Sequence, residues 1–208
     1  MYDIVYHLKQ RLHELSPVER RIADTILADI DGAALVGHTS LRQNHMDRLD
    51  RAASDEEIAA MRSQLRAAIA EGALGLSTGL AYASAFAAPA REVLELTRDL
   101  PADRLYATHL RDEFAGILPA LDEARAVGHH SGAPVRVSHL KCAGIDNWGR
   151  SREVLAWLDD AAGEHDVACD CYPYAASAST LDLKQVTDAY DILITWSEPH
   201  PDQVIRMS

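Results

Sequence analysis

The sequence predicts an α/β chain: a parallel sheet with helical crossovers, preceded by an α-helical hairpin. Three observations carry this. From about Ala33 onward, short apolar runs suited to strands alternate with helix-patterned segments, the mark of parallel strands joined by helices in an open sheet or a (β/α)-barrel. Two of those runs, Tyr106-Ala-Thr-His109 and Val135-Arg-Val-Ser-His139, each end on a histidine, and the stretch between them has the length of one βαβ unit. The first 31 residues, in contrast, hold no glycine and show only helical spacing.

Taken in order, Ile4, Val5, Leu8, Leu12 and Leu15 recur at helical intervals. Ser16-Pro17-Val18-Glu19 then opens a second helix, with Ser16 placed to cap, Pro17 at the first helical position and Glu19 completing a capping box. Residues 33–38 read as a buried strand. Ser54-Asp-Glu-Glu57 is another capping box and starts a helix that stops at Gly72. Residues 73–77 are a short strand, 91–100 a helix, 104–109 a strand and 115–129 a helix ending near Gly128 and Gly132. Residues 134–139 form a strand, 151–164 a helix, 166–170 a fifth strand, and 191–196 a candidate sixth. The predicted domains are therefore 1–31 and 32–208.

Composition narrows the function classes. The net charge of −12 opposes nucleic-acid binding, which needs clustered Lys and Arg. No apolar run approaches the roughly 20 residues that span a bilayer. Residues 1–15 lack the apolar core and small-residue cleavage site of a signal peptide. Three cysteines, Cys142, Cys169 and Cys171, suit a reducing cytoplasm rather than a disulfide scaffold. No phosphate-cradling glycine motif follows a strand.

His109 and His139 are the candidate metal ligands, since strand C-terminal ends are where parallel α/β folds place ligands and metals. A catalytic zinc usually keeps three protein ligands and a water. His38, Cys142 and Cys171 are the local third candidates, each better read as a core histidine or a buried thiol than as a ligand. Arg111, Lys141 and Arg136 add positive charge that a substrate carboxylate would use, or that is ordinary surface charge. The loop Tyr172-Pro173-Tyr174 with Ser177, Ser179 and Thr180 could line a pocket or be a rigid turn.

These motifs resemble a known family. VGHTSLR (36–42), EGALGLSTGLAY (71–82), LYATHLRDE (105–113), PVRVSHLKCAG (134–144), CDCYPYAASAST (169–180) and DILITWSEPHP (191–201) are similar to N-acyl-D-amino-acid deacylases of the amidohydrolase superfamily. The resemblance implies a zinc-dependent (β/α)8 barrel that hydrolyses N-acyl-D-amino acids to a carboxylate and the free D-amino acid. By it, His109 and His139 match metal ligands on the family's fifth and sixth strands. Lys141 and Tyr172 match positions that hold the substrate carboxylate and polarise the scissile carbonyl, and Tyr82 and Ser179 fall where substrate contacts are expected.

The family's first-strand His-x-His, its second-strand cysteine and the eighth-strand aspartate that serves as general base have no counterpart in the sequence. The expectation is therefore a partial TIM-type barrel, about strands 3–7, with little activity alone and no catalytic residue assigned. A partial barrel leaves sheet edges unpaired, which predicts self-association. Residues 2–30 resemble the first two helices of RpiR-type regulators, so a regulator fragment or a non-functional fusion product is the alternative. The recognition helix has no counterpart, and Asp3, Glu14, Glu19, Asp24 and Asp29 outweigh Lys9, Arg11, Arg20 and Arg21.

Overall fold

The structure is a computed structural model that describes residues 35–173, 191–194 and 205–207. The predicted hairpin at 1–31, the boundary that follows it and the loop bearing Ser179 lie outside these residues. In chain order the elements are β1 (Leu35–Gly37), α1 (His38–His45), α2 (Asp55–Ala70), β2 (Gly75–Gly79), α3 (Ala90–Thr97), β3 (Leu105–His109) and α4 (Ile117–Ser131). Then come β4 (Val135–Val137), a 3-10 turn (Ile145–Asn147), α5 (Ser151–Glu164), β5 (Val167–Cys169), β6 (Ile192–Ile194) and β7 (Ile205–Met207).

Strands β1 to β5 form one parallel sheet in sequential order. Sequential order with right-handed crossovers puts every helix on the same face, the layout of a barrel wall. Period-two alternation then sorts the strand residues. Leu76, Tyr106, Val135, Val137 and Val167 are buried in one core with Met61 and Leu65 of α2, Val93 and Leu96 of α3, and Ile117 and Leu121 of α4. Thr78 is buried on that same face, where its hydroxyl meets those of Tyr106 (3.0 Å) and Thr108 (2.8 Å). Ser77, Ala107 and Arg136 fall on the opposite face, and the same alternation puts His109 there, at the C-terminal end of β3.

The Ser54 capping box forms as predicted: Ser54 Oγ accepts from Glu57 N–H and Glu57 Oε2 accepts from Ser54 N–H. Helix α4 ends on Gly132 at φ 75°, the left-handed conformation that favours glycine. Two expectations are corrected. The strand predicted over 33–38 stops at Gly37, and His38 opens α1, a helix that the sequence pattern does not signal. The candidate sixth strand does not extend the parallel sheet; β6 pairs antiparallel with β7 in a separate two-stranded sheet.

Helix α1 is held by charge. Glu92 on α3 is fully buried, and its Oε1 receives Arg42 Nη1 at 2.5 Å and lies 2.9 Å from His38 Nε2. Arg42 Nη2 also donates to the carbonyls of Leu49 (2.9 Å) and Arg51 (2.6 Å), and Glu92 Oε2 accepts from Ala53 N–H. Burial pushes the Glu92 carboxyl up, but the hydrogen bonds from His38, Arg42 and Ala53 prevail and hold it below the usual range. His38 is thus a structural residue of this network.

Candidate metal centre

Parallel pairing aligns β3 with β4 so that Thr108 sits opposite Val137. The chain then leaves β4: Ser138 N–H still bonds Thr108 O, and His139 follows at φ 41°, the one left-handed non-glycine residue among those described. A left-handed histidine is uncommon and needs surrounding structure to hold it. Here Asp170, just past β5, supplies that support from both its side chain and its backbone. Its Oδ1 accepts from His139 N–H at 2.5 Å, and its carbonyl accepts from Leu140 N–H.

That backbone turns the His139 ring toward His109. Nδ1 of His109 and Nε2 of His139 stand 2.9 Å apart, with the rings edge to face. Two zinc–nitrogen bonds of about 2.0–2.1 Å at a tetrahedral angle separate their nitrogens by about 3.3 Å, so the pair is within a few tenths of an ångström of a shared cation. Burial, then the Coulombic effects of His139 and Lys141, lower the His109 pKa to about 4, which keeps the imidazole neutral and its lone pair available near pH 7.

Glu113 completes the cluster. Ligand atoms of His109, Glu113 and His139 all lie within 4.8 Å of one another, the one such group among the described residues. The carboxylate is buried, and burial pushes its pKa up, partly offset by Lys141 and His139. Its Oε2 takes Lys141 Nζ at 2.7 Å, while its Oε1 is buried without a hydrogen-bond partner. A buried carboxylate oxygen left open beside two imidazoles fits a site built for a cation.

Aromatic rings flank the pair. Tyr82, about half exposed, lies 4.8 Å from the His109 ring, and Tyr172 stacks on His139 at 6.0 Å with the Lys141 ammonium 5.5 Å from its ring centroid. The structure therefore brings together His109, His139, Lys141, Tyr172 and Tyr82; Ser179 lies outside the described residues. The third-ligand candidates do not join them: His38 serves Glu92, and neither Cys142 nor Cys171 enters the cluster. Arg111 and Arg136 do not face it as free cations either, since Arg111 forks onto Glu123 and Arg136 pairs with Asp166. Glu113 and Asp170 carry no role predicted from the sequence; Glu113 stands four residues after His109, the one signal that could mark it.

Parallel βα units with convergent imidazoles at the C-terminal strand ends define the class as part of a (β/α)-barrel with a candidate metal centre. Comparison with known proteins makes this specific. No family model matches the chain. It is 44% identical over 176 residues to a D-aminoacylase of Alcaligenes xylosoxydans xylosoxydans, covering 84% of this chain and 36% of the relative. An N-acyl-D-aspartate deacylase of the same organism is 44% identical over 189 residues, 90% of this chain and 38% of the relative. A crystal structure of D-aminoacylase, described as defining a novel subset of amidohydrolases, superposes with a TM-score of 0.77 at 42% identity, covering 81% of this chain and 36% of that one. An N-acyl-D-glutamate deacylase from Bordetella bronchiseptica, complexed with zinc and a phosphonate inhibitor, gives 0.75 at 42% identity over the same shares. The chain is homologous to one part of the D-aminoacylases, and its parallel sheet corresponds to part of a (β/α)-barrel. It spans little more than a third of the length of these relatives.

Proposed function

We propose that this chain carries the metal-binding part of a zinc-dependent hydrolase that cleaves N-acyl-D-amino acids to a carboxylate and a D-amino acid. The observation that carries it is the convergence of His109 Nδ1 and His139 Nε2 at 2.9 Å on adjacent strand ends, in a chain homologous to enzymes named for that reaction. His109 and His139 would hold the zinc. When bound, zinc supplies Lewis-acid activation of the amide and of water. Lys141, Tyr172 and Tyr82 border the pair and would orient the substrate, Lys141 by pairing with the substrate's carboxylate and Tyr172 at the scissile carbonyl, with Ser179 assigned by resemblance alone.

By itself the chain is proposed to bind metal and turn over little. No His-x-His occurs in its sequence, and among the described residues the one carboxylate in the cluster, Glu113, is held by Lys141 rather than free to act as a base. A missing general base removes a factor of about 10²–10⁴. The test is an assay of the purified chain with an N-acetyl-D-amino acid and added zinc. Turnover near the uncatalysed rate is expected; strong turnover abolished by His139→Ala would show that the chain is self-sufficient.

The proposed compartment is the cytoplasm, supported by three cysteines that are all free. Among the described residues no helix is long and apolar enough to cross a membrane. Self-association is proposed through β1 and β5, the outer strands of the described sheet, and chromatography with light scattering would detect it. Nucleic acid is not proposed as a partner, given the acidic charge.

A further inference from the structure

Each imidazole has two nitrogens, and the structure gives them two separate tasks. Nδ1 of His109 and Nε2 of His139 converge on each other. A metal held there needs both lone pairs, so in the loaded state the ring protons belong on the remote nitrogens, His109 Nε2 and His139 Nδ1. Those are the nitrogens that face Glu113: Oε2 is 3.8 Å from His109 Nε2, and Oε1 is 3.5 Å from His139 Nδ1. The carboxylate thus lies behind the pair, on the side away from the convergence.

Lys141 adds the decisive detail. Its Nζ lies 3.1 Å from His139 Nδ1, 3.1 Å from His139 O and 2.7 Å from Glu113 Oε2. An ammonium has donors and no acceptor, so His139 Nδ1 accepts here, and the ring proton sits on Nε2, donated to His109 Nδ1. The pair is bonded to itself in the tautomer that blocks a metal, and Glu113 Oε1 is left without a hydrogen-bond partner.

We propose that Glu113 is a positioning residue for the metal pair, and that metal and Lys141 compete for His139. On loading, the His139 proton leaves Nε2 and resides on Nδ1, from which it is donated to Glu113 Oε1; Lys141 gives up its hydrogen bond to Nδ1 and keeps its ion pair to Oε2. The device rests on the metal-pair reading given above. It differs from direct ligation by Glu113, whose Oε2 is already held by Lys141 and whose oxygens are nearest the wrong nitrogens for a shared ion.

The test uses the full chain and Zn²⁺ alone, with affinity measured by competition against a chelating indicator and folding checked by circular dichroism. Glu113→Ala is expected to weaken zinc about 10–100-fold, the usual effect of removing a carboxylate behind a ligating histidine. Glu113→Gln, which keeps an acceptor oxygen, should lose less. Independently of any variant, nitrogen-15 histidine NMR of the wild type should show the His139 proton on Nε2 without zinc and on Nδ1 with it. Unchanged affinity in Glu113→Ala, or a tautomer that does not change on loading, would overturn the proposal. So would loss of all binding in Glu113→Gln together with one fewer oxygen ligand by X-ray absorption, the signature of direct ligation. Zinc binding unaffected by His139→Ala overturns instead the underlying metal pair, which keeps the two failures distinct.

Discussion

Asp170 holds His139 from the neighbouring strand: its Oδ1 accepts the His139 N–H at 2.5 Å, and the residue it restrains sits at φ 41°. A left-handed conformation costs a non-glycine residue roughly 1–2 kcal/mol, and it is this turn that points the ring at His109. Asp170→Ala is expected to lower stability by about 1 kcal/mol, the net worth of one hydrogen bond, and to weaken zinc binding about tenfold. Asp170→Asn, which retains an acceptor, should recover most of both. Paired thermal melts and zinc titrations check this, and equal zinc affinity in all three proteins would refute it.

His139→Gly separates strain from chemistry. Glycine takes a positive φ without the Cβ penalty, so the variant should melt no lower than wild type while losing zinc binding. A marked fall in melting temperature would mean that the imidazole itself stabilises the fold.

The buried network at Glu92 predicts an acid-labile fold. Burial raises the Glu92 pKa, but the bonds from His38, Arg42 and Ala53 leave it lowered from 4.5. The unfolded chain therefore binds this proton more readily than the folded one. The associated stability is present above about pH 4.5 and is lost as pH falls toward the folded value. Glu92→Gln should be destabilised by about 3–5 kcal/mol at neutral pH, because Arg42 stays buried without its counter-charge. The gap in melting temperature from wild type should narrow below pH 4.5. A gap that is constant from pH 7 to pH 3 would rule this out.

Much of this architecture is legible in the sequence because its helices carry conventional signals, as at Ser54 and Glu57, where the capping box forms with both of its bonds. Helix α1 is not legible, for a physical reason: its buried residues are His38, Leu41 and Arg42, so its inner face is made by an ion-pair network and leaves no apolar stripe. The run 192–194 reads as a strand, but a short apolar run does not state whether its partner is parallel or antiparallel. In the metal centre the two histidines stand out through their matched positions in adjacent units. Glu113 and Asp170 do not, because their roles depend on where loops return: the cluster forms only once the backbone beyond β4 turns back at His139.

Two glycines provide opposed tests of the packing. Gly75 opens β2 at φ 151°, and a Cβ there would fall 1.8 Å from the carbonyl oxygen of Leu105, its registered partner on β3. Gly75→Ala must push the two strands apart or strain the backbone, and overpacking of this kind typically costs about 1–3 kcal/mol; the separation would also shift His109 at the far end of β3. Gly163, in the last turn of α5, has nothing within 4 Å of a built Cβ, so alanine there gains helix propensity without a clash. Gly163→Ala is expected to raise stability by up to about 1 kcal/mol. Urea unfolding of both variants distinguishes the cases, and a Gly75→Ala protein as stable as wild type would contradict the close β2–β3 approach on which the position of His109 depends.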